Sequence, residues 1–119
     1  CNAGHDAPFV LRKGAAPESV VSIGGPPLCV VEDFAYPTET LQLHPGDLLC
    51  VTTDGVAEAM DGSGALLGVG RTKRILTAIS PEADAKTVVD ELYAAVGRFV
   101  AGAEASDDLT VLAIRWSGP

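Results

Sequence analysis

An aspartate followed by a glycine stands directly after an apolar run in the middle of the chain. The run is LLCV at residues 48–51, and two threonines lead from it to Asp54 and Gly55. A carboxylate at this position lies where a strand ends and solvent begins, and a glycine allows a sharp turn or the close approach of a ligand. We therefore take Asp54 as the candidate functional centre of residues 41–58.

A second pair of acids stands near the C-terminus. Asp107 and Asp108 precede residues 109–116, an apolar segment that we expect to be a strand. If this strand is an antiparallel neighbour of the one that ends near Asp54, the acids meet at one edge of the sheet, because neighbouring strands lie about 4.8 Å apart. Ionised carboxylates so close repel each other unless a cation lies between them, and oxygen ligands favour Mg²⁺ or Mn²⁺. The alternative is that these acids cap turns or face water.

Hydrophobic patterns predict the strands that position these acids. Residues 38–43 alternate with the period of a half-buried strand, and the sequence HPGD that follows is typical of a tight turn. Residues 48–53 are expected to form a central strand that is covered on both faces. The two strands together predict an antiparallel hairpin. Shorter strands are predicted at residues 9–12 and 18–23.

Helices are predicted in the second half of the chain. After a short helical turn at residues 56–60, residues 71–79 are expected to form a helix, and Ser80 followed by Pro81 indicates the start of another. Apolar residues then recur at helical spacing and predict a face that packs in the core. They are Ala85, Val88, Val89, Leu92, Tyr93, Val96, Phe99 and Val100.

Composition excludes several classes of protein. The 119 residues fit one domain, and 47% hydrophobic residues argue against disorder. A net charge of −8 opposes binding to nucleic acid or to an anionic membrane, and no apolar run approaches the roughly 20 residues that span a bilayer. No signal peptide is visible, and the chain, which opens on Cys1 rather than Met, is expected to be a fragment or an excised piece.

The cysteines and the first histidine suggest structural roles. Three cysteines without paired spacing favour a reduced, cytoplasmic protein and give no support to a zinc site. Cys50 lies within the apolar run and is expected to behave as a small hydrophobe. His5 stands beside a glycine, where a hydrogen bond within a loop is the simpler interpretation and a catalytic role the alternative.

Several motifs together resemble one known family. NAGH, GGPPL, LHPGDLLCVTTDGVAEAMD and SDDLTVLAIRW follow one another in the order found in the C-terminal part of PPM-type metal-dependent protein phosphatases. More narrowly, the chain resembles the bacterial branch typified by stage II sporulation protein E. The resemblance covers nearly the whole chain and implies an α/β (α+β) fold, part of an αββα sandwich with antiparallel sheets flanked by helices.

The resemblance also implies a chemistry. Members of the family hydrolyse phosphoserine or phosphothreonine with two Mn²⁺ or Mg²⁺ ions, which lower the pKa of a bridging water and orient the phosphate. Carried over by motif, Asp54 and Asp107 are the expected catalytic metal ligands, and no other cofactor-binding residue is implied. Gly55 allows a close approach beside them, and Asp108 has a supporting role. The expected substrate is a phosphorylated regulator in bacterial signalling, such as an anti-sigma-factor antagonist.

The family pattern is incomplete in this chain. In the family, the N-terminal part of the domain carries a further Asp-Gly metal motif. In this chain the one other Asp-Gly is Asp61-Gly62, which falls in a polar turn. Residues 1–119 are therefore expected to be the C-terminal portion of one phosphatase domain, inactive alone. The alternative function is a non-catalytic interaction module. The expected partners are a phosphoprotein substrate, without nucleic acid or membrane insertion, and a second copy paired through an exposed sheet edge.

Overall fold

One four-stranded antiparallel sheet organises the molecule. The computed structural model describes residues 1–103 and 108–119. Within them the strands follow the spatial order β2-β1-β3-β4, and every neighbouring pair is antiparallel. Their bounds are β1 Phe9–Leu11, β2 Glu18–Ser19, β3 Leu48–Thr52 and β4 Val111–Arg115.

Three helices accompany the sheet within residues 1–103 and 108–119. They are α1 Asp54–Ala57, α2 Gly68–Ala78 and α3 Ala85–Val100. Leu48 and Cys50 of β3 are fully buried in the same cluster as Leu76 of α2 and Leu92 of α3. Because the apolar sides of α2 and α3 meet one face of the sheet, the core lies between them. The α+β class expected from the sequence is confirmed. None of the helices in the described part of the chain is long and apolar enough to cross a membrane.

Burial along β3 alternates, so the expectation of a strand covered on both faces was wrong for this structure. Leu48, Cys50 and Thr52 are buried, whereas Leu49 and Val51 remain partly exposed. The reason is that α2 and α3 both pack on the core side. On the opposite face, the neighbouring β4 also leaves apolar side chains half exposed, namely Leu112 at 52% and Ile114 at 49%.

The predicted hairpin partner of β3 was also wrong. Residues 38–43 have no regular structure, and β3 pairs instead with β1 on one side and β4 on the other. Both edges of β3 are thus occupied, so residues 38–43 have no free edge of β3 to pair with. The HPGD turn itself is present, since the Asp47 amide donates to the His44 carbonyl at 2.9 Å. The segment predicted as a strand at residues 18–23 shortens to β2.

The start of α3 differs from the prediction in a similar way. Ser80 and Pro81 belong to a turn, and the N-cap is Asp84, whose carboxylate accepts a hydrogen bond from the Thr87 amide at 2.7 Å. Ser and Asp are both common N-cap residues, and Asp84 is the N-cap here because it directly precedes the amphipathic segment. The buried stripe is confirmed at Val88, Leu92 and Val96, which form the core face of α3. Tyr93 was predicted to lie on the same stripe but is 43% exposed, so this part of the prediction was wrong.

Candidate functional site

Asp54 lies at the junction between β3 and α1. β3 ends at Thr52, Thr53 is the extended N-cap residue, and Asp54 is the first residue of α1. The Asp54 side chain is exposed, and its Oδ1 accepts a hydrogen bond from the Gly55 amide at 2.9 Å. The carboxylate therefore stands at the end of a buried strand and remains accessible to solvent, as the sequence predicts.

The N-terminal end of β4 lies beside this junction. β3 and β4 are antiparallel, and Thr52 is opposite Val111, so the chain before Val111 runs alongside the chain after Thr52. The Thr53 amide donates to the Thr110 carbonyl at 3.1 Å, and the Thr53 hydroxyl donates to the Asp108 carbonyl at 3.3 Å. Asp108 thus lies next to the Asp54 junction. The other predicted ligand, Asp107, lies outside the described residues, and its role remains a prediction.

Gly55 makes the closest contact between the two segments. A Cβ atom added to Gly55 would lie 2.3 Å from the Asp108 carbonyl oxygen and 3.0 Å from the Asp108 carbonyl carbon. The first distance is shorter than real Cβ contacts, the second is tighter than most of them, and both neighbours are backbone atoms. The glycine thus permits a close approach, here between two segments of the chain itself.

A cavity of about 250 Å³ opens beside Asp54. Asp6 and Glu58 also line it, together with Thr52 and Thr72. Sequence analysis missed Asp6, although the reasoning that joined the other acids applies to it as well. β1 is antiparallel to β3, so a residue shortly before β1 lies near the end of β3. Asp6 stands three residues before β1, which was the available signal.

The other polar residues that the sequence singled out have structural partners. Asn2 brackets His5, because its Oδ1 accepts from the His5 amide and its Nδ2 donates to the His5 carbonyl, both at 2.7 Å. The His5 ring Nδ1 lies 3.1 Å from the Asp6 carbonyl oxygen, which agrees with a loop role. Asp61 closes the predicted polar turn: its Oδ1 accepts from the Ser63 amide at 2.9 Å and from the Ser63 hydroxyl at 2.6 Å, and these bonds lower the pKa of Asp61.

The donors around the cavity fit a hard divalent cation in kind. Asp6, Asp54 and Glu58 offer carboxylate oxygens, which Mg²⁺ and Mn²⁺ prefer, and Asp54 is accessible to an ion. Within residues 1–103 and 108–119, however, no group of three or more His, Cys, Asp or Glu residues is arranged to hold a metal ion. An ion bound at Asp54 would thus need ligands in addition to those that the described residues supply.

Solved structures share this fold. The PP2C phosphatase domain with a fragment of the regulatory domain of SpoIIE from Bacillus subtilis superposes with a TM-score of 0.76 at 23% identity, over 95% of this chain and 32% of that one. The phosphatase domain of the same protein, presoaked with Mn, gives a TM-score of 0.71 at 23% identity, over 98% of this chain and 49% of that one. The sheet and helices described above thus have the same fold as the corresponding part of these solved domains.

Sequence comparison defines the family. The family model for stage II sporulation protein E (SpoIIE) matches residues 1–117, and the chain belongs to that family. Protein IcfG of Synechocystis sp. is 28% identical over 114 residues, which are 95% of this chain and 17% of IcfG. The chain therefore spans about a sixth of this curated relative and a third to a half of the two solved structures.

Proposed function

We propose that this chain is the C-terminal portion of a metal-dependent protein serine/threonine phosphatase domain. The observation that carries the proposal is the meeting of two acidic segments: Asp54 follows β3, and Asp108, three residues before β4, lies against Gly55. Membership of the stage II sporulation protein E family supports the same function. The proposed reaction is hydrolysis of a phosphomonoester in a phosphorylated signalling protein of the cytoplasm, such as an anti-sigma-factor antagonist.

In this proposal Asp54 is a metal ligand, and Asp107 is a second. The ion is Mn²⁺ or Mg²⁺, and it supplies a water of lowered pKa and neutralises charge on the phosphate oxygens. The chain's own contribution is the placement of carboxylates at one end of the sheet and a glycine that lets the two segments touch. Asp108 supports the site through its backbone, which contacts Gly55 and accepts from Thr53.

Mn²⁺ titration of the chain followed by calorimetry tests the ion site. We expect weak binding, because the described residues supply an incomplete set of ligands, and we expect Asp54→Asn to weaken it further by removing one anionic oxygen. Asp61→Asn is the matched control: Asp61 belongs to the other Asp-Gly pair, and its carboxylate is engaged in its own turn. Equal Mn²⁺ affinities for Asp54→Asn and the unmodified chain would rule out the assignment.

Phosphate release tests the reaction. A longer protein that contains this segment should dephosphorylate a phosphoserine peptide with Mn²⁺ or Mg²⁺ and stop when a chelator is added. The 119-residue chain alone should show almost no turnover. Full activity in excess chelator would refute the metal mechanism. Absence of turnover by the longer protein, with phosphopeptide binding retained, would favour the non-catalytic interaction module.

The outer edge of the sheet, at β4, suggests a further partner. β4 is an outer strand in the described sheet, and Leu112 and Ile114 on it are half exposed. Unpaired edge strands readily add another strand, so we propose that isolated copies of this chain associate through β4. Light scattering over a range of concentrations measures this association. Replacement of Ile114 by Lys should shift the chain to the monomer, and a monomeric unmodified chain at all concentrations would contradict the proposal.

A further inference from the structure

Side chains help to hold the segment just before β4, in addition to one backbone hydrogen bond from the Thr53 amide to the Thr110 carbonyl. Asp108, Leu109 and Thr110 precede the first residue of β4, so the regular ladder with β3 does not include them. The Thr53 hydroxyl bridges two of them: it donates to the Asp108 carbonyl at 3.3 Å and accepts from the Thr110 amide at 3.0 Å. Since a hydroxyl has one hydrogen to donate, these bonds define its orientation.

A second hydrogen bond, from helix α3, holds the same segment. The Tyr93 hydroxyl on α3 donates to the Leu109 carbonyl at 2.6 Å. Tyr93 itself is 43% exposed. Each residue of the segment thus has a backbone group bonded to a side chain, with Thr53 serving Asp108 and Thr110, and Tyr93 serving Leu109.

We propose that Thr53 and Tyr93 are positioning residues that fix segment 108–110 beside Asp54, and that Thr53 thereby sets the metal affinity of the site. The inference rests on the proposed ion site at Asp54. Thr53 directly precedes Asp54 in the chain, so its hydroxyl ties the backbone that carries one acid to the backbone that carries Asp108. Asp54 is the ligand that this tie affects: a ligand held in place before an ion arrives needs no ordering when the ion binds, and the affinity is correspondingly higher.

A purely structural role for Thr53 predicts a different outcome. Loss of a hydrogen bond that serves folding alone lowers the unfolding temperature and leaves the Mn²⁺ affinity of the folded chain unchanged. Loss of a positioning bond weakens Mn²⁺ binding in a chain that is still folded, typically by roughly 10- to 100-fold for groups that orient metal ligands. The two roles are therefore separated by measuring affinity well below the unfolding temperature.

The test compares three variants of the chain with the unmodified protein. Thr53→Val keeps the shape and removes the hydroxyl, Thr53→Ser keeps the hydroxyl, and Tyr93→Phe removes the other hydroxyl without changing the ring. Mn²⁺ affinity is measured by electron paramagnetic resonance of the free ion. Hydrogen exchange is measured at the Thr110 amide, which donates a hydrogen bond to the Thr53 hydroxyl oxygen. Asp54→Asn serves as the reference for the ion site itself.

We expect Thr53→Val to weaken Mn²⁺ binding by about tenfold or more and to speed exchange at Thr110. Thr53→Ser should stay within about twofold of the unmodified chain, and Tyr93→Phe should also weaken binding. The positioning role is overturned, and the proposed function stands, if Asp54→Asn weakens Mn²⁺ binding while Thr53→Val does not. The same holds if Thr53→Ser and Thr53→Val have equal Mn²⁺ affinities. If Asp54→Asn has no effect, or the unmodified chain binds no Mn²⁺ at millimolar concentration, both proposals fail.

Discussion

Replacement of Gly55 by alanine is the most direct test of how the two acidic segments meet. The new Cβ would lie 2.3 Å from the Asp108 carbonyl oxygen, where real Cβ contacts essentially never fall below 3.0 Å. The two segments must therefore separate by about 0.7 Å or more. Gly55 does not have a positive φ, so the change introduces a steric clash without backbone strain of its own.

The expected loss follows from overpacking of a rigid contact. The Asp108 atoms that the new Cβ meets belong to the backbone, so no side chain can move aside. We therefore expect the free energy of unfolding to fall by about 1–3 kcal/mol. For a domain of this size that corresponds to a fall of about 4–12 °C in the unfolding temperature, measured by circular dichroism. The Mn²⁺ affinity should fall in the same variant, because Asp54 and segment 108–110 are pushed apart.

Gly97→Ala provides the matched control. Gly97 lies within α3, and an added Cβ there would meet nothing within 4 Å. Alanine has the higher helix propensity, so this variant should unfold at the same or a slightly higher temperature, with a gain of up to about 1 kcal/mol. If Gly55→Ala behaved as Gly97→Ala does, the close contact with Asp108 would be refuted.

The remaining predictions concern the core, the helix cap and the cysteines. Leu92→Ala should destabilise the chain by about 2–5 kcal/mol, since Leu92 is 0% exposed, whereas Leu28→Ala, at a side chain 69% exposed, should leave the denaturant midpoint almost unchanged. Asp84→Ala should lower the unfolding temperature more than Ser80→Ala does, because Asp84 is the N-cap. Hydrogen bonds from Thr87 lower the pKa of Asp84 in the folded chain. The stability that the Asp84 carboxylate contributes is therefore present above its ordinary pKa of about 3.9 and is lost as the pH falls through the lower folded pKa. The unfolding temperatures of Asp84→Ala and of the unmodified chain should converge in acid. Burial raises the pKa of the Cys50 thiol to about 11, so mass spectrometry after iodoacetamide treatment at neutral pH should find the two exposed cysteines modified and Cys50 unmodified until the chain unfolds.

The elements predicted best are those with strong local signals. The spacing of Val88, Leu92 and Val96 indicates one helical face, and the structure buries these three residues in α3. The apolar run at residues 48–51 likewise becomes part of β3. Helical periodicity depends on residues three or four apart, so a single sequence contains most of the information needed to recognise it.

The start of α3 shows where local signals compete. Ser80-Pro81 has the composition of a helix start, yet Asp84 is the N-cap, and the residues between them form a turn. Both positions satisfy the chemistry of a cap, and the energy difference between them is small compared with the burial of the α3 core face. Packing of that face therefore selects the boundary, which the cap residues alone could not.

By itself the sequence determined that Asp54 follows a buried strand and that a second acidic segment comes shortly before the last strand. Only the tertiary structure decided which strands pair, because backbone hydrogen bonds are the same for every sequence and pairing depends on which edges remain free. β1 and β4 occupy both edges of β3, which excludes residues 38–43 and brings Asp6 and Asp108 toward Asp54. The contact between Gly55 and Asp108 likewise joins residues more than fifty positions apart, so no local pattern could reveal it.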